Sequence, residues 1–434
     1  MNNKLQSRFL IGASGSGSGK TTLTLGLLRA LHNRELKVQP FKCGPDYIDT
    51  KYHDIASGNK SVNLDLFLSS ENHVKEIYSK YCFDKDICIT EGVMGLFDGY
   101  DKMDGSSAEI AEISDTPVIL VLNAKSMAYT AAAILYGLKN FYKKINIAGV
   151  IFNFVGSESH YRFLKDACRE AGIEPLGYLP KNEEIEIPSR HLGLKLDKEY
   201  RFDDFADKIA GLVEKYIDID KLLTLTQKDI LPIDLNKSQP AFQNLKIAVA
   251  YDEAFNFVYH ENIEYLKEIG SVTFFSPIKD KGLPEADFIY LPGGYPELFL
   301  EKLSSNISMI ESIRHYIENE GKLLAECGGM MYLSSSITDD KGREFPMVNI
   351  FPQKATMANM KLKLGYRRFE YNGLEIKGHE FHYSSIISDI ESICQQYNAK
   401  NIPVDTKLLR YKNAVAGYTH IYWAEDDNLM GLVK

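Results

Sequence analysis

A cysteine beside two glycines marks one stretch of the sequence as a candidate site for nucleophilic chemistry. Cys327 follows the apolar run "KLLA" in "KLLAECGGMMYL". A nucleophile on a sharp turn between a strand and a helix stands clear of the backbone, and the start of the helix favours a thiolate. Upstream, Gly293 and Gly294 follow another apolar run. Their backbone N–H groups, together with that of Gly328, are our candidates for an oxyanion hole.

A thiol nucleophile needs a base, which in proteins is normally a histidine. His420 in the strand-like segment "AGYTHIYW" is our choice, and His379 and His382 in "GHEFHYS" are the alternatives. Spacing along the chain does not separate them. An alternative also stays open for the thiol itself, because a free cysteine often serves only as a small buried hydrophobic residue.

A second candidate site lies near the start of the chain, where "LIGASGSGSGKTTLTLGLL" places a glycine-rich loop between a strand and a helix. In such loops backbone N–H groups surround phosphates, the lysine reaches the terminal phosphates and the threonine binds Mg²⁺. We therefore predict an ATP site with Mg²⁺ on Thr21. Ser14 stands where the strict motif has its first glycine, and a flexible loop before an ordinary helix is the alternative. The predicted nucleotide-binding residues are Gly15, Gly17, Gly19, Lys20, Thr21 and Thr22.

A phosphate site of this kind also needs an acid at the end of a neighbouring strand, to hold the metal or its water. Glu91 follows the strand-like run "DICIT", with a solvated acid at a strand end as the alternative, and Asp98 is a second candidate. The loop "KCGPDYIDTKYH" adds Asp46 as a metal candidate and Tyr47 and Asp49 as substrate candidates. Loops at the carboxyl ends of parallel strands commonly bind ligands. Simple turn formation by the glycine, proline and aspartate of this loop is the alternative.

Two series of strands and helices carry these candidate sites. Short apolar runs rich in β-branched residues alternate with helical patterns in both halves of the chain, which predicts α/β domains with parallel sheets. We place an ATP-binding domain at residues 1–225 and a second domain at residues 244–434. The polar, proline-containing segment 226–243 is predicted to link them.

Composition excludes several classes of protein. Among 434 residues, 50 are basic and 59 acidic, which gives a net charge of −9 and argues against general affinity for nucleic acid or anionic membranes. The six cysteines form no CxxC pair, so neither a zinc site nor a disulfide framework is indicated. No stretch reaches the roughly 18 apolar residues of a membrane span. We expect a cytoplasmic protein with small-molecule partners.

The cysteine turn, the preceding "PGG" and the late histidine resemble the class I glutamine amidotransferase domain, which hydrolyses glutamine through a thioester and releases ammonia. Many members of that class carry a glutamate two residues after the histidine, where this chain has Tyr422. Over nearly the whole chain, an ordered set of motifs is similar to the cobyrinate a,c-diamide synthase family, whose N-terminal half is similar to dethiobiotin synthetase. The motifs include "KCGPDYIDTKYH", "EGVMGLFDG", "PSRHLGL", "PGGYPELF", "AECGGMMYL" and "GHEFHYS".

This resemblance implies a P-loop amide synthase domain and a flavodoxin-like amidotransferase domain in one ligase. ATP with Mg²⁺ would activate the a and c acetates of the corrin precursor as acyl phosphates, and glutamine cleaved at Cys327 would supply ammonia. Arg190 and His191 are candidates for holding the anionic macrocycle, with helix capping or ion pairing as the alternative for Arg190.

Rival functions stay open at this point. One is amidation of another tetrapyrrole, as by nickel-sirohydrochlorin a,c-diamide synthase or cobyric acid synthase. Another is a nucleotide-gated ATPase whose amidotransferase domain is inactive. A homodimer is the candidate assembly.

Overall fold

The computed structural model describes residues 5–182, 202–230, 244–358, 360–425 and 429–432. The chain forms two compact units, Met1–Asn236 and Lys237–Lys434. The boundary lies inside the segment that we predicted to be a linker. Gln227–Asp229 of that segment is a strand that pairs antiparallel with Leu5–Ser7, so the first unit extends beyond residue 225.

The first unit is built on an eight-stranded sheet. Its strands are β1 (Leu5–Ala13), β2 (Val38–Cys43), β3 (Val62–Leu64), β4 (Ile87–Glu91), β5 (Val118–Asn123), β6 (Ile147–Val155), β7 (Glu174–Pro180) and β8 (Gln227–Asp229). The order β3-β2-β4-β1-β5-β6-β7 is parallel throughout, and β8 adds an antiparallel pairing to β1. The central strands are buried on both faces, which explains why they read as continuous apolar runs.

Helices cover both faces of this sheet. They are α1 (Lys20–Asn33), α2 (Asp49–Ser57), α3 (Glu71–Cys82), α4 (Ser107–Ile113), α5 (Ala131–Phe141), α6 (Glu158–Ala171), α7 (Phe202–Tyr216) and α8 (Ile219–Leu225). On one face, leucines of α1 pack against Ile209 and Val213 of α7. The helical spacing of the leucines between Leu23 and Leu31, read from the sequence, is confirmed.

The second unit contains the remaining elements. Its helices are α9 (His260–Ile269), α10 (Leu300–Ser305), α11 (Ile307–Glu318), α12 (Gly328–Leu333) and α13 (Leu429–Leu432). Its strands are β9 (Leu245–Ala250), β10 (Gly270–Phe275), β11 (Phe288–Leu291), β12 (Lys322–Glu326), β13 (Ser334–Thr338), β14 (Glu344–Pro346), β15 (Phe351–Thr356), β16 (Lys363–Tyr371), β17 (Leu374–His382), β18 (Ser385–Ile387), β19 (Gln396–Tyr397), β20 (Pro403–Val404), β21 (Leu408–Tyr411), β22 (Ala414–Gly417) and β23 (His420–Ile421).

The main sheet of this unit has the order β10-β9-β11-β12-β22-β21. Five strands are parallel and β21 is an antiparallel edge. Counted along the chain, the parallel strands follow the order 2-1-3-4-5, which is the flavodoxin-like arrangement. The fold class predicted for both domains is thereby confirmed.

Two smaller sheets complete the second unit, β14-β13-β15-β18 and β20-β19-β16-β17-β23. The sequence patterns did not predict them. The sheet β20-β19-β16-β17-β23 matters for the site, because pairing of β17 with β23 sets His379 opposite His420. Within the part of the chain that the structure describes, no helix is long and apolar enough to cross a bilayer.

Candidate active sites

The glycine-rich loop joins β1 to α1, and its conformation depends on glycine at position 19. Gly19 precedes the helix with φ of 94°, a backbone conformation that glycine adopts without steric cost. A β-carbon there would overlap the side-chain amide of Asn153. That amide donates to the carbonyl of Ser18 over 3.1 Å and so holds the loop from the side. Gly17 also has a positive φ, of 74°.

Residues 20–22 form the first turn of α1, where backbone N–H groups point out of the helix toward the loop. The Lys20 ammonium donates to the carbonyl of Gly15 over 3.3 Å and also to that of Met94. Burial lowers the pKa of Lys20, and the neighbouring Lys42 lowers it further. The lysine and the helix start that we predicted to bind phosphate therefore face the same loop.

A buried charge cluster lies at the adjoining ends of β2 and β4. Lys42 and Glu91 are opposite each other in the parallel register. The Lys42 ammonium lies 2.8 Å from Glu91 Oε1 and 2.7 Å from Asp49 Oδ2. The Thr21 hydroxyl donates to Glu91 Oε1 over 2.7 Å and lies 3.5 Å from Asp49 Oδ2. On the other side, His53 Nε2 lies 2.7 Å from Glu91 Oε2.

Opposite charges keep this cluster ionised despite its burial. Burial alone would raise the pKa of Glu91, but Lys42 and His53 outweigh it and hold that pKa well below its usual range. Burial also opposes the charge on Lys42, yet Asp49 and Glu91 leave the pKa of Lys42 above its ordinary value. At neutral pH the site therefore presents fixed charges of both signs.

Asp46 lies beside this cluster, and its charge contributes to the raised pKa of Lys42. Its Oδ1 accepts the backbone N–H groups of Ile48 over 2.8 Å and Asp49 over 2.9 Å, which forms the turn that starts α2. The metal role of Asp46 stays a prediction, and the carboxylate that lies near Thr21 is that of Asp49, which we had assigned to the substrate. Asp49 is 1% exposed and Tyr47 is 4% exposed, so the expected substrate contacts of this loop gain no support from their position.

Three of these side chains fit a magnesium ion. Thr21, Glu91 and Asp49 bring hydroxyl and carboxylate oxygens together, and Mg²⁺ prefers such ligands in combination with phosphates and water. Asp98, our second acidic candidate, accepts the N–H of Gly95 over 2.9 Å instead. The predicted macrocycle residues Arg190 and His191 lie outside the described residues.

In the second unit, Cys327 occupies a strained turn between β12 and α12. Its φ of 46° and ψ of −104° are uncommon for a residue with a β-carbon and must be held by the surrounding structure. The Cys327 N–H donates to the carbonyl of Gly417 over 2.7 Å, and its carbonyl accepts the N–H of Met331 over 2.9 Å. This is the geometry of a nucleophile at a strand-to-helix junction.

The three glycines predicted for the oxyanion hole lie beside this turn. A β-carbon on Gly328 would sit 3.1 Å from the backbone nitrogen of Gly294. A β-carbon on Gly293 would overlap the ring of His420. Gly294 has φ of 156°, and a side chain there would strike the carbonyl of Ala254. The structure thus brings both glycine turns and the chosen histidine together.

Burial shifts the nucleophile and the base toward their neutral forms. Burial lowers the pKa of His420 to about 3, and the neighbouring His379 and His382 act in the same direction. Burial raises the pKa of the Cys327 thiol, and the negative charge of Glu297 adds to this. At neutral pH a protonated thiol therefore lies at the same strand ends as an imidazole that is able to accept a proton.

The alternative base, His382, has partners on both ring nitrogens. Its Nε2 lies 2.7 Å from Glu380 Oε1 and its Nδ1 lies 2.8 Å from the carbonyl oxygen of Ser384. The ring stacks on Tyr418 with centroids 3.5 Å apart. Arg367 holds the other oxygen of Glu380 at 2.5 Å, which ties His382 into a separate network. This arrangement favours His420 over His382 as the base, and His379, which lies opposite His420 in the strand pairing, stays an alternative.

Comparison with known proteins identifies the family. Residues 9–194 match the CobQ/CobB/MinD/ParA nucleotide binding domain, and residues 246–428 match the CobB/CobQ-like glutamine amidotransferase domain. The cobyrinate a,c-diamide synthase of Caldanaerobacter subterraneus subsp. tengcongensis is 42% identical over 95% of this chain and 94% of its own length. The chain belongs to the cobyrinate a,c-diamide synthase family. The Picrophilus torridus member is 42% identical over 97% of this chain and 96% of its own, and that of Methanocaldococcus jannaschii is 42% identical over 88% of each.

Membership of this family confirms the predicted enzyme class. The chain is a carbon–nitrogen ligase in which a P-loop nucleotide-binding domain precedes a glutamine amidotransferase domain. The P-loop family implies that ATP is the nucleotide and that it binds with a metal ion.

Sequence reasoning missed part of both sites. Lys42 and His53 were noticed only as members of a loop, because the pairing of β2 with β4 that sets Lys42 against Glu91 is not readable from local pattern. Asn153, which supports the phosphate loop, gave no signal at all. Glu326 did give a signal, since it is an acid that directly follows the apolar residues 323–325 of its strand.

Proposed function

We propose that this enzyme converts the a and c acetate side chains of cobyrinate to amides, with ATP activating each carboxylate and glutamine supplying the nitrogen. The supporting observation is the end-to-end similarity to proteins named cobyrinate a,c-diamide synthase, which extends over 94% and 96% of the length of two of them. Both domains and their order are therefore shared. A P-loop fold or an amidotransferase fold alone would not specify the reaction.

In the first unit, the γ-phosphoryl group of ATP would pass to a carboxylate oxygen of the substrate, giving an acyl phosphate and ADP. Lys20 and the first-turn N–H groups of α1 would neutralise charge on the transferring group. Lys42, held by Asp49 and Glu91, supplies a second fixed positive charge. A magnesium ion on Thr21 and Glu91 would add charge neutralisation at the phosphates.

In the second unit, the Cys327 sulfur would attack the carboxamide carbon of glutamine while its proton passes to His420. The backbone N–H groups of Gly294 and Gly328 would hold the oxyanion. Collapse of this intermediate releases ammonia, which takes the proton from His420, and leaves a thioester that water hydrolyses to glutamate. Ammonia then attacks the acyl phosphate to give the amide and phosphate, and it must do so before water does.

A direct assay tests this proposal. Purified protein would be incubated with cobyrinate, ATP, Mg²⁺ and either glutamine or an ammonium salt, and the products weighed by mass spectrometry. We expect two amide groups on each macrocycle with either nitrogen source, together with ADP and phosphate. An unchanged macrocycle mass with both nitrogen sources would refute the proposal.

The rival functions are separated in the same experiment by parallel substrates. Amidation of nickel-sirohydrochlorin or of cobyrinate a,c-diamide, without reaction of cobyrinate, would assign the enzyme to another tetrapyrrole. ATP hydrolysis with no glutamate release and no amide would favour a nucleotide-gated ATPase. Against that last outcome, residues 12–19 contain no lysine, whereas P-loops of the partition ATPases carry one early in the loop.

A further inference from the structure

A buried acid lies directly before the nucleophile, inside the apolar core. Glu326 is the last residue of β12 and is 1% exposed. Side chains alternate along a strand, so Glu326 shares the face of Leu324, which packs with Tyr290 and Trp423. Cys327 belongs to the core on the opposite face. A carboxyl group in such surroundings costs free energy, which suggests that it has a task.

Both oxygens of this carboxyl group have defined partners. Oε1 accepts the backbone N–H of Ile421 over 2.9 Å, and Oε2 accepts the hydroxyl of Tyr290 over 2.6 Å. The same Oε2 lies 3.8 Å from Nδ1 of His420, within ion-pair range and beyond hydrogen-bond length. Because Ile421 follows His420, the carboxyl group is tied to the strand that carries the ring.

We propose that Glu326 is the positioning residue for His420 in glutamine hydrolysis. Its carboxyl group keeps Nδ1 of the ring on the Glu326 side, leaves Nε2 to receive the proton of Cys327 and, when ionised, stabilises the imidazolium that results. The inference rests on the glutaminase half of the proposed function. In many class I amidotransferases a glutamate two residues after the histidine orients the ring. Here the same task would fall to a glutamate that directly precedes the nucleophile.

Two other candidates near His420 have partners of their own, although the charge of Glu380 acts to raise the pKa of His420. Tyr422, which stands at the position of that glutamate, packs edge-on against Tyr259 with ring centroids 5.5 Å apart. Glu380 is a second buried carboxylate in this region, but Arg367 and Thr406 hold one of its oxygens at 2.5 and 2.6 Å. Its other oxygen contacts His382, as described above.

The protonation behaviour of the carboxyl group agrees with this geometry. Burial raises the pKa of Glu326 to about 8, while the hydrogen bonds from Tyr290 and Ile421 act in the opposite direction. A group that gains and loses a proton near neutral pH is suited to respond to a proton arriving on the neighbouring ring.

The full-length Glu326→Gln variant tests the proposal, since glutamine keeps the shape but cannot ionise. We expect kcat for glutamate release to fall roughly 100-fold, at the lower end of what a positioned acid–base group contributes, with KM for glutamine nearly unchanged. Alkylation of Cys327 by iodoacetamide, followed by mass spectrometry of its peptide, should slow as well. Amidation of cobyrinate with ammonia should persist, because it bypasses Cys327.

Two further variants make the result decisive. Tyr290→Phe removes one hydrogen bond to Oε2 and should lower the same kcat by up to about 10-fold. Glu261→Gln makes the identical change at a buried glutamate on α9 and should leave kcat as in the wild type.

A wild-type kcat for glutamine and a wild-type alkylation rate in Glu326→Gln would overturn the proposal. Loss of turnover with ammonia in Glu326→Gln would show that this variant is misfolded. The test would then rest on Tyr290→Phe, and a wild-type kcat for glutamine in that variant would overturn the proposal. Failure of this inference can be told apart from failure of the proposed function. If the proposed function were wrong, wild-type protein would add no amide to cobyrinate, but the rate of glutamate release would still test the role of Glu326.

Discussion

Lys42 and Glu91 in the first unit are as deeply buried as Cys327, His420 and Glu326 in the second, yet the two groups differ in charge. In the first group, contacts of 2.7 and 2.8 Å between opposite charges keep both the ammonium and the carboxylates ionised. In the second, burial raises the pKa values of the thiol and the carboxyl group and lowers that of the imidazole, so neutral forms are favoured.

The difference fits the chemistry that we propose for each site. Phosphoryl transfer develops negative charge on oxygens, and fixed cations and dipoles stabilise it without having to rearrange. Hydrolysis of an amide by a thiol needs a proton that moves from sulfur to a ring nitrogen and on to the leaving amine. A neutral, buried thiol and imidazole hold that proton until glutamine arrives.

The sharpest way to break this comparison is to remove the nucleophile. For Cys327→Ser we expect glutamine-dependent amidation to fall by at least ~10⁴-fold, since a hydroxyl without thiolate character cannot replace the sulfur. Ammonia-dependent amidation should remain at the wild-type rate, and both are followed by mass spectrometry. Cys394→Ser, at a half-buried cysteine, is the control. Continued use of glutamine by the first variant would rule out Cys327 as nucleophile.

Removal of the Lys20 ammonium should lower the rate of amide formation equally with glutamine and with ammonia. Lys20→Ala should lower amide formation about 10²- to 10³-fold with glutamine and with ammonia, because it deletes a preorganised charge at the transferring phosphoryl group. ADP release and product mass report the effect. Lys37→Ala, at an exposed lysine paired with Asp84, should behave as wild type. Unchanged rates in Lys20→Ala would mean that ATP binds elsewhere.

A stability measurement tests how much the buried ion pairs of the first unit depend on their opposite charges. Glu91→Gln leaves the buried ammonium of Lys42 with less compensation and should destabilise the first unit by about 3 kcal/mol. Asp84→Asn removes an exposed partner of Lys37 and should cost less than about 1 kcal/mol. Asparagine also tolerates the positive φ at position 84. Calorimetry would compare the two, and equal losses would contradict the distinction.

A further expected effect is a pH dependence of stability at Glu326. Because the pKa is about 8 in the folded state and 4.5 ordinarily, the folded protein keeps a proton that the unfolded chain has released between these values. The stability of the wild type should therefore decrease as pH rises from about 4.5 to about 8. Glutamine cannot titrate, so the Tm of Glu326→Gln should rise relative to that of the wild type as the pH is raised across this range.

The neighbours of Glu326 do not confound this measurement. The pKa of His420 lies near 3, below the window, and burial holds the pKa of Tyr290 well above it. A Tm difference between variant and wild type that stays constant from pH 5 to pH 8, as set by buffer, would show that the carboxyl group does not titrate as inferred.

Local sequence determined the two reactive turns of this protein and the parallel strands around them. Glycine at position 19 is required by a positive φ, and Ala325, Gly328 and Gly329 around Cys327 permit the elbow. Such requirements act over a few residues, so they leave a readable pattern. Continuous apolar runs likewise identified strands buried on both faces.

Tertiary structure alone decided which side chains complete each site. Asp49, which we had assigned to the substrate, lies near Thr21, and Asp46 forms the turn that begins α2. Glu326 meets His420 only through the pairing of β12 with β22 and the return of the chain in β23. These contacts join residues that are distant in the chain, and the energy that selects them comes from burial and strand register, which local pattern does not encode.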